Sequence, residues 1–167
     1  MHLIIDGYNL LHVDCSLTHF NSIQLQWERE RLIDRLSIYQ KLKPREVTVI
    51  FDGWREGWSM ETREKRKGIE VIFSKLGEKA DEVIKRLVRE KGSGAVVITS
   101  DREVARFAQR MNAAVVSSEQ FREKLEKKSS HVVEESPGEE ESGIKKKGPS
   151  RRLSKKEKRT RAISRKL

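Results

Sequence analysis

Three short apolar runs in this chain each stop at an aspartate, and that repeated ending constrains the fold more than any other feature. The first is Met1-His-Leu-Ile-Ile-Asp6, the second Val47-Thr-Val-Ile-Phe-Asp52 and the third Ala95-Val-Val-Ile-Thr-Ser-Asp101. Strands are expected at 3–5, 47–51, 69–73, 95–99 and 113–116. These runs are nearly continuous rather than alternating, as in strands buried on both faces. Between the first two lies 22–42, where Leu25, Leu32, Ile33, Leu36 and Tyr39 keep helical spacing until Pro44 stops the pattern. A second helix fits 80–91, with Val83, Ile84, Leu87 and Val88 on one face. Ser100-Asp-Arg-Glu103 and Ser117-Ser-Glu-Gln120 have the form of capping boxes and predict two more helix starts. Strands alternating with helices imply an α/β fold: a mostly parallel sheet of about five strands between two helical layers.

Charge divides the chain into unequal parts. The 167 residues carry a formal charge of +10, yet residues 144–167 hold 12 Lys and Arg against one Glu, or +11. Residues 1–143 hold 24 basic and 25 acidic residues and are close to neutral. We read 1–128 as the folded domain and 129–143, rich in Ser, Glu, Pro and Gly, as an acidic flexible linker. Residues 144–167 read as a disordered basic tail, in which Leu153, Ile163 and Leu167 are too few to form a core. Cys15 is the only cysteine, which excludes a disulfide or a cysteine-built zinc site within one chain. No apolar stretch approaches the roughly 20 residues of a membrane span, and no basic-then-apolar leader opens the chain. A cytoplasmic protein is expected.

In open parallel α/β sheets, functional sites lie beyond the carboxyl ends of the strands. Asp6, Asp52 and Asp101 fall there, as does the loop leading to Lys79-Ala-Asp81-Glu82. Carboxylates collected without cations repel one another and hold their protons more tightly. A hard divalent cation resolves the repulsion, and all-oxygen ligands favour Mg²⁺ or Mn²⁺ over zinc. Two such ions, roughly 3.5–4 Å apart, activate a water and stabilise the leaving oxygen of a phosphodiester. Asn9 and Ser100 are placed to orient the acids. Each piece also has a plainer reading. Asp-Gly is a common turn, and Asp81 and Asp101 suit the first turn of a helix through its dipole. Glu82 reads as a solvated helix residue. Only the coincidence of four acids at one edge favours the metal site.

Taken in order, Asp6-Gly-Tyr-Asn9, Phe51-Asp52-Gly53, Phe73-Ser-Lys with Lys79-Ala-Asp81, and Val97-Ile-Thr-Ser-Asp101 resemble the motifs of the NYN domain, in its YacP-like branch. The resemblance covers roughly residues 1–128. It implies a Rossmann-like domain of the PIN-like nuclease group and a metal-dependent ribonuclease. It further implies Asp6, Asp52, Asp81 and Asp101 as metal-site acids, with Asn9 as their polar partner. Gly53 departs from the pattern, where Ala is expected after the second acid. YacP-like proteins are linked to endonucleolytic cleavage of messenger RNA on bacterial ribosomes, which makes messenger RNA and the ribosome the expected partners.

RNA contact needs cations and aromatic faces near the acids. Trp54 and Trp58 are candidates for stacking on splayed bases, and Arg55, Arg63, Lys65, Arg66, Lys67, Lys79 and Arg102 for phosphates. The plainer alternative packs one Trp under its own loop and leaves the cations as a solvated face. Trp27, within the long helical pattern, reads as a packing residue. His2, His12, His19 and His131 show no metal-ligand spacing. Lys145, Lys146, Lys147, Arg151, Arg152, Lys155 and Lys156 would bind RNA through counterion release, supplying affinity without sequence choice. The composite expectation is a metal-dependent endoribonuclease acting on single-stranded or messenger RNA. The alternative is a noncatalytic RNA- or ribosome-binding adaptor.

Overall fold

A computed structural model describes residues 1–13, 20–53, 59–130, 158 and 162–163. Six strands form one sheet: β1 (His2–Asp6), β2 (Glu46–Phe51), β3 (Thr62–Arg66), β4 (Ile69–Phe73), β5 (Ala95–Ile98) and β6 (Ala114–Val116). The helices are α1 (Gly7–His12), α2 (Ser22–Leu42), α3 (Ala80–Lys91), α4 (Arg102–Arg110) and α5 (Ser118–Ser130). The strand order is β3-β4-β2-β1-β5-β6. All neighbours run parallel except β3, which pairs antiparallel with β4 at the edge. From β1 the sheet extends through β2 and β4 on one side, with β3 folded back outside β4, and through β5 and β6 on the other, so the carboxyl end of β1 is where successive connections diverge.

The period of two along each strand sorts the core into two layers. Leu3, Ile5, Val49, Phe51, Val71, Val96 and Ile98 face one side, where they pack with Leu10, Leu11, Leu25, Leu36, Tyr39, Phe121 and Leu125. These partners come from α1, α2 and α5. Ile4, Ile50, Ile72 and Val97 face the other side, against Val83, Ile84, Leu87, Val88, Val104 and Ala108 of α3 and α4. Every residue of β1 and β5 is buried, which is why residues 3–5 and Ala95–Ile98 are apolar without alternation, and the two polar residues of β1, His2 and Asp6, are hydrogen-bonded. Burying each Ile, Leu or Val contributes about 1.5–3 kcal/mol, so the two layers hold the sheet edge still. Half-buried Ile163 also packs against the first layer, far along the chain from the rest of it.

The expected five strands and four helices are present, and among the described residues three further elements occur: α1, β3 and a short 3-10 turn at Gly92–Gly94. α1 is a single short helix entered directly from Asp6. β3 has the sequence Thr-Arg-Glu-Lys-Arg, without an apolar residue to mark it. It is held by the two-residue turn Lys67-Gly68, whose φ values of 51° and 90° are those of a hairpin turn matched to strand twist. Trp27, expected to pack, is instead 67% exposed on the outer face of α2. That helix is amphipathic along a different stripe, through Leu25, Leu32 and Leu36. α2 opens with a reciprocal capping box of Asn21 and Gln24, a signal present in the sequence.

Candidate active site

Asp6 ends β1, and the chain turns at once into α1. Its Oδ1 accepts the Asn9 amide at 3.1 Å, capping the helix, and its Oδ2 accepts the Thr99 hydroxyl at 3.2 Å. Thr99 directly follows β5, the neighbouring strand, and is 2% exposed. Its hydroxyl oxygen also accepts the Asp101 amide at 3.1 Å. Thr99 thus links the first and last acids, a role the sequence pattern did not single out.

Asp52 follows β2 and accepts the Ala80 amide at 2.6 Å, so it caps α3 from a strand 28 residues away. This places Asp52 against the helix that carries Asp81. Asp101 caps α4 with its Oδ1, which accepts the Glu103 and Val104 amides at 2.7 and 2.9 Å. The expected Ser100 cap is therefore shifted by one residue. Ser100 instead donates to Glu119 at 2.7 Å and accepts the Ser118 amide at 3.1 Å. Ser117 does cap α5, accepting the Gln120 amide at 3.3 Å. Asn9 is held by its side-chain oxygen, which accepts both the Ser100 amide and the Ser118 hydroxyl at 2.8 Å. It ties α1 to the β5 end and to the start of α5.

The acids feel one another. Burial pushes the Asp6 carboxyl up to about 7, and Asp81 and Asp52 add to the rise against its two hydrogen bonds. Asp81 is also raised, first by burial and then by Asp101, with further contributions from Asp52 and Glu103 and opposition from Lys85. Four carboxylates from four elements therefore share one electrostatic site. They are neighbours rather than a closed cage: among the described residues, no three His, Cys, Asp or Glu side chains are drawn together enough to hold an ion. Like charges keep such a set apart until a cation offsets them. The donor set itself, all carboxylate oxygen, fits Mg²⁺ or Mn²⁺.

The expected RNA contacts separate by position. Lys79 and Arg102 are exposed at the starts of α3 and α4, next to the acids in sequence. Arg63 pairs with Ile72 and Lys65 with Glu70 across β3 and β4, which puts both on the α3 side of the sheet. Arg63 is engaged by Glu61 at 2.7 Å. Arg66 and Lys67 lie at the opposite end of the sheet from the acids, where Arg66 pairs with Glu30 and Glu64 and Lys67 with Asp34. Trp54, Arg55 and Trp58 lie outside the described residues, as do Lys145, Lys146, Lys147, Arg151, Arg152, Lys155 and Lys156. His2 is buried and bonded through Nε2 to the Thr48 hydroxyl at 2.7 Å, in keeping with a structural role. Among the described residues no helix is long and apolar enough to cross a membrane.

The sequence profile of the YacP-like NYN domain matches residues 3–165. The protein named "Uncharacterized protein YacP" of Bacillus subtilis strain 168 is 31% identical over 102 residues, 59% of each chain. The match thus spans about three-fifths of that curated relative. A crystal structure of a mutant of Rae1 (YacP) from Bacillus subtilis is similar in fold, with a TM-score of 0.66 and 25% identity over 80% of each chain. A second Rae1 (YacP) structure has a TM-score of 0.60 and 27% identity, over 80% of this chain and 78% of that one.

Proposed function

Since this chain belongs to the YacP-like NYN domain family, we propose that it is a metal-dependent endoribonuclease that hydrolyses phosphodiester bonds of single-stranded RNA, including messenger RNA on the ribosome. The observation that carries this reading is the placement of Asp6, Asp52, Asp81 and Asp101 at one edge of the sheet: β1, β2 and β5 are parallel neighbours, Asp52 holds the Ala80 amide beside Asp81, and Thr99 joins Asp6 to Asp101. In this reading the four acids would hold Mg²⁺ or Mn²⁺. When bound, the ion supplies Lewis acidity toward a water and offsets the charge that develops on the departing oxygen.

The chain's own residues supply the geometry. Asp6 is oriented by the Asn9 amide and the Thr99 hydroxyl. Near neutral pH its carboxyl competes for a proton, so cation uptake is coupled to proton release. Asn9 keeps α1, β5 and α5 in fixed relation through its two accepted hydrogen bonds. Lys79 and Arg102, exposed beside the acids, meet the phosphates that flank the scissile bond. Arg63 and Lys65 extend that path along the α3 side of the sheet, and the cations of 144–167 gather RNA without choosing its sequence.

The test is to incubate the full chain with end-labelled single-stranded RNA, with Mn²⁺ or with chelator, beside an Asp6→Asn, Asp101→Asn variant. Internal cleavage should require both the ion and the intact acids. The same products from the variant would remove the assignment. Binding without products from the wild type would favour a noncatalytic adaptor.

A further inference from the structure

A lysine sits inside the acid-rich edge without a part in the chemistry above. Lys85 Nζ donates to Glu82 Oε1 at 3.0 Å, on its own helix, and to Glu103 Oε1 at 2.6 Å, in the first turn of α4. Its side chain is only 12% exposed, whereas those of Glu82 and Glu103 are 56% and 75% exposed. The covered part is the aliphatic stem, which lies along the helices, while the ammonium spans α3 and α4 in two exposed ion pairs.

Its partners matter more than its burial. The Glu103 amide donates to Asp101 Oδ1 at 2.7 Å, so the residue that Lys85 grips is one of the two whose amides fix Asp101. Asp81 lies four residues before Lys85 on α3, one turn away on the same face. One ammonium therefore connects the helical turn bearing Asp81 to the helical turn bearing Asp101. We propose that Lys85 is a positioning residue for the metal site, clamping the start of α3 to the start of α4 so that Asp81 and Asp101 are presented at a fixed separation. The inference rests on the metal-site reading above.

Charge alone makes the opposite forecast, and that separates the two. A bare positive charge beside a cation site opposes the cation, so removing it would tighten binding. A clamp, once removed, loosens it. In the full chain, Lys85→Met should weaken Mn²⁺ binding a few-fold, the scale on which an exposed ion pair acts, and Lys85→Arg should restore most of the affinity. Glu103→Gln removes a charge of the other sign and should weaken binding as well, because it breaks the same bridge. The readout is free Mn²⁺ by electron paramagnetic resonance. Unchanged or tighter binding by Lys85→Met overturns the proposal. A second measurement does not depend on the ion: hydrogen exchange at the Glu103 and Val104 amides should quicken in Lys85→Met and Glu103→Gln but not in Lys85→Arg. Equal exchange rates also overturn it. If the wild type takes up no Mn²⁺, the metal-site reading fails, and the exchange rates still decide whether Lys85 joins the two turns.

Discussion

Asp6, Asp52 and Asp101 each direct one carboxylate oxygen at the N-terminus of a helix. The plain reading of these residues as caps is what the structure shows, and it is compatible with the proposed role as ligands, because a carboxylate has two oxygens and more lone pairs than a cap consumes. Asp6 carries a consequence for stability. An unfolded aspartate loses its proton near pH ~3.9, whereas in the folded chain burial holds the Asp6 proton to about 7. Below the lower value both states are protonated and the contribution of Asp6 is fully present. Between the two, the folded chain holds a proton that the unfolded chain has released, so stability falls as pH rises and the contribution is lost through pH 7. Thermal midpoints of wild type and Asp6→Asn, followed from about pH 4 to pH 8, should show a downward slope in the wild type that the variant lacks. Added Mn²⁺ should recover the wild-type loss at neutral pH by mass action. A wild-type slope that persists in the variant would assign it to other groups. Gly53 is decided at the same scale. A methyl there would overlap the Ser74 carbonyl oxygen, and the Gly53 amide donates to Ser74 Oγ at 3.1 Å. The departure from Ala at this position is thus dictated by the β2–β4 loops of this chain. Gly53→Ala should cost about 1–3 kcal/mol by overpacking, read from chemical denaturation, and an unaltered midpoint would refute the contact.

Among the elements, those with long apolar periodicity were legible and those without it were not. α2 and α3 follow from the spacing of Leu32, Leu36, Val83 and Leu87, since a wide apolar stripe has one way to be buried. β3 has the sequence character of a basic stretch suited to RNA, because an edge strand needs no apolar face and Thr62–Arg66 has none. α1 was hidden by its length. Its presence matters, because it brings Asn9 within reach of the Ser100 amide and of Ser118, which is fully buried. Asn9→Ala strands that hydroxyl and should destabilise the fold by about 1–3 kcal/mol. Ser118→Ala should cost less, since Asn9 keeps its bond from Ser100. In a double-mutant cycle the two should be coupled rather than additive. Additive losses would mean that the bond between α1 and α5 contributes nothing.

For the whole molecule the main question is how a nearly neutral body and a polycationic end work together. Removing 144–167 takes the formal charge from +10 to −1. The truncated chain should bind RNA more weakly at low salt and with a flatter dependence on salt, losing a log–log slope of about 0.7 for each phosphate no longer neutralised. Cleavage of short RNA should survive. Equal affinity and slope would show that the body alone gathers RNA. The truncation also removes Ile163, which packs against the first core layer, so the unfolding midpoint should be recorded with the affinity.

The sequence by itself determined the layered α/β architecture, because burial periodicity is written locally, and it determined which aspartates end strands. It also located the excess positive charge, which is a matter of counting. What only the tertiary structure decided is how distant residues meet: Asp52 reaching the start of α3, Thr99 joining Asp6 to Asp101, Asn9 gathering α1, β5 and α5, and Lys85 bridging α3 and α4. Those contacts depend on strand order and on the angle at which each helix leaves the sheet. Neither quantity has a local signal, because both follow from how the two core layers pack.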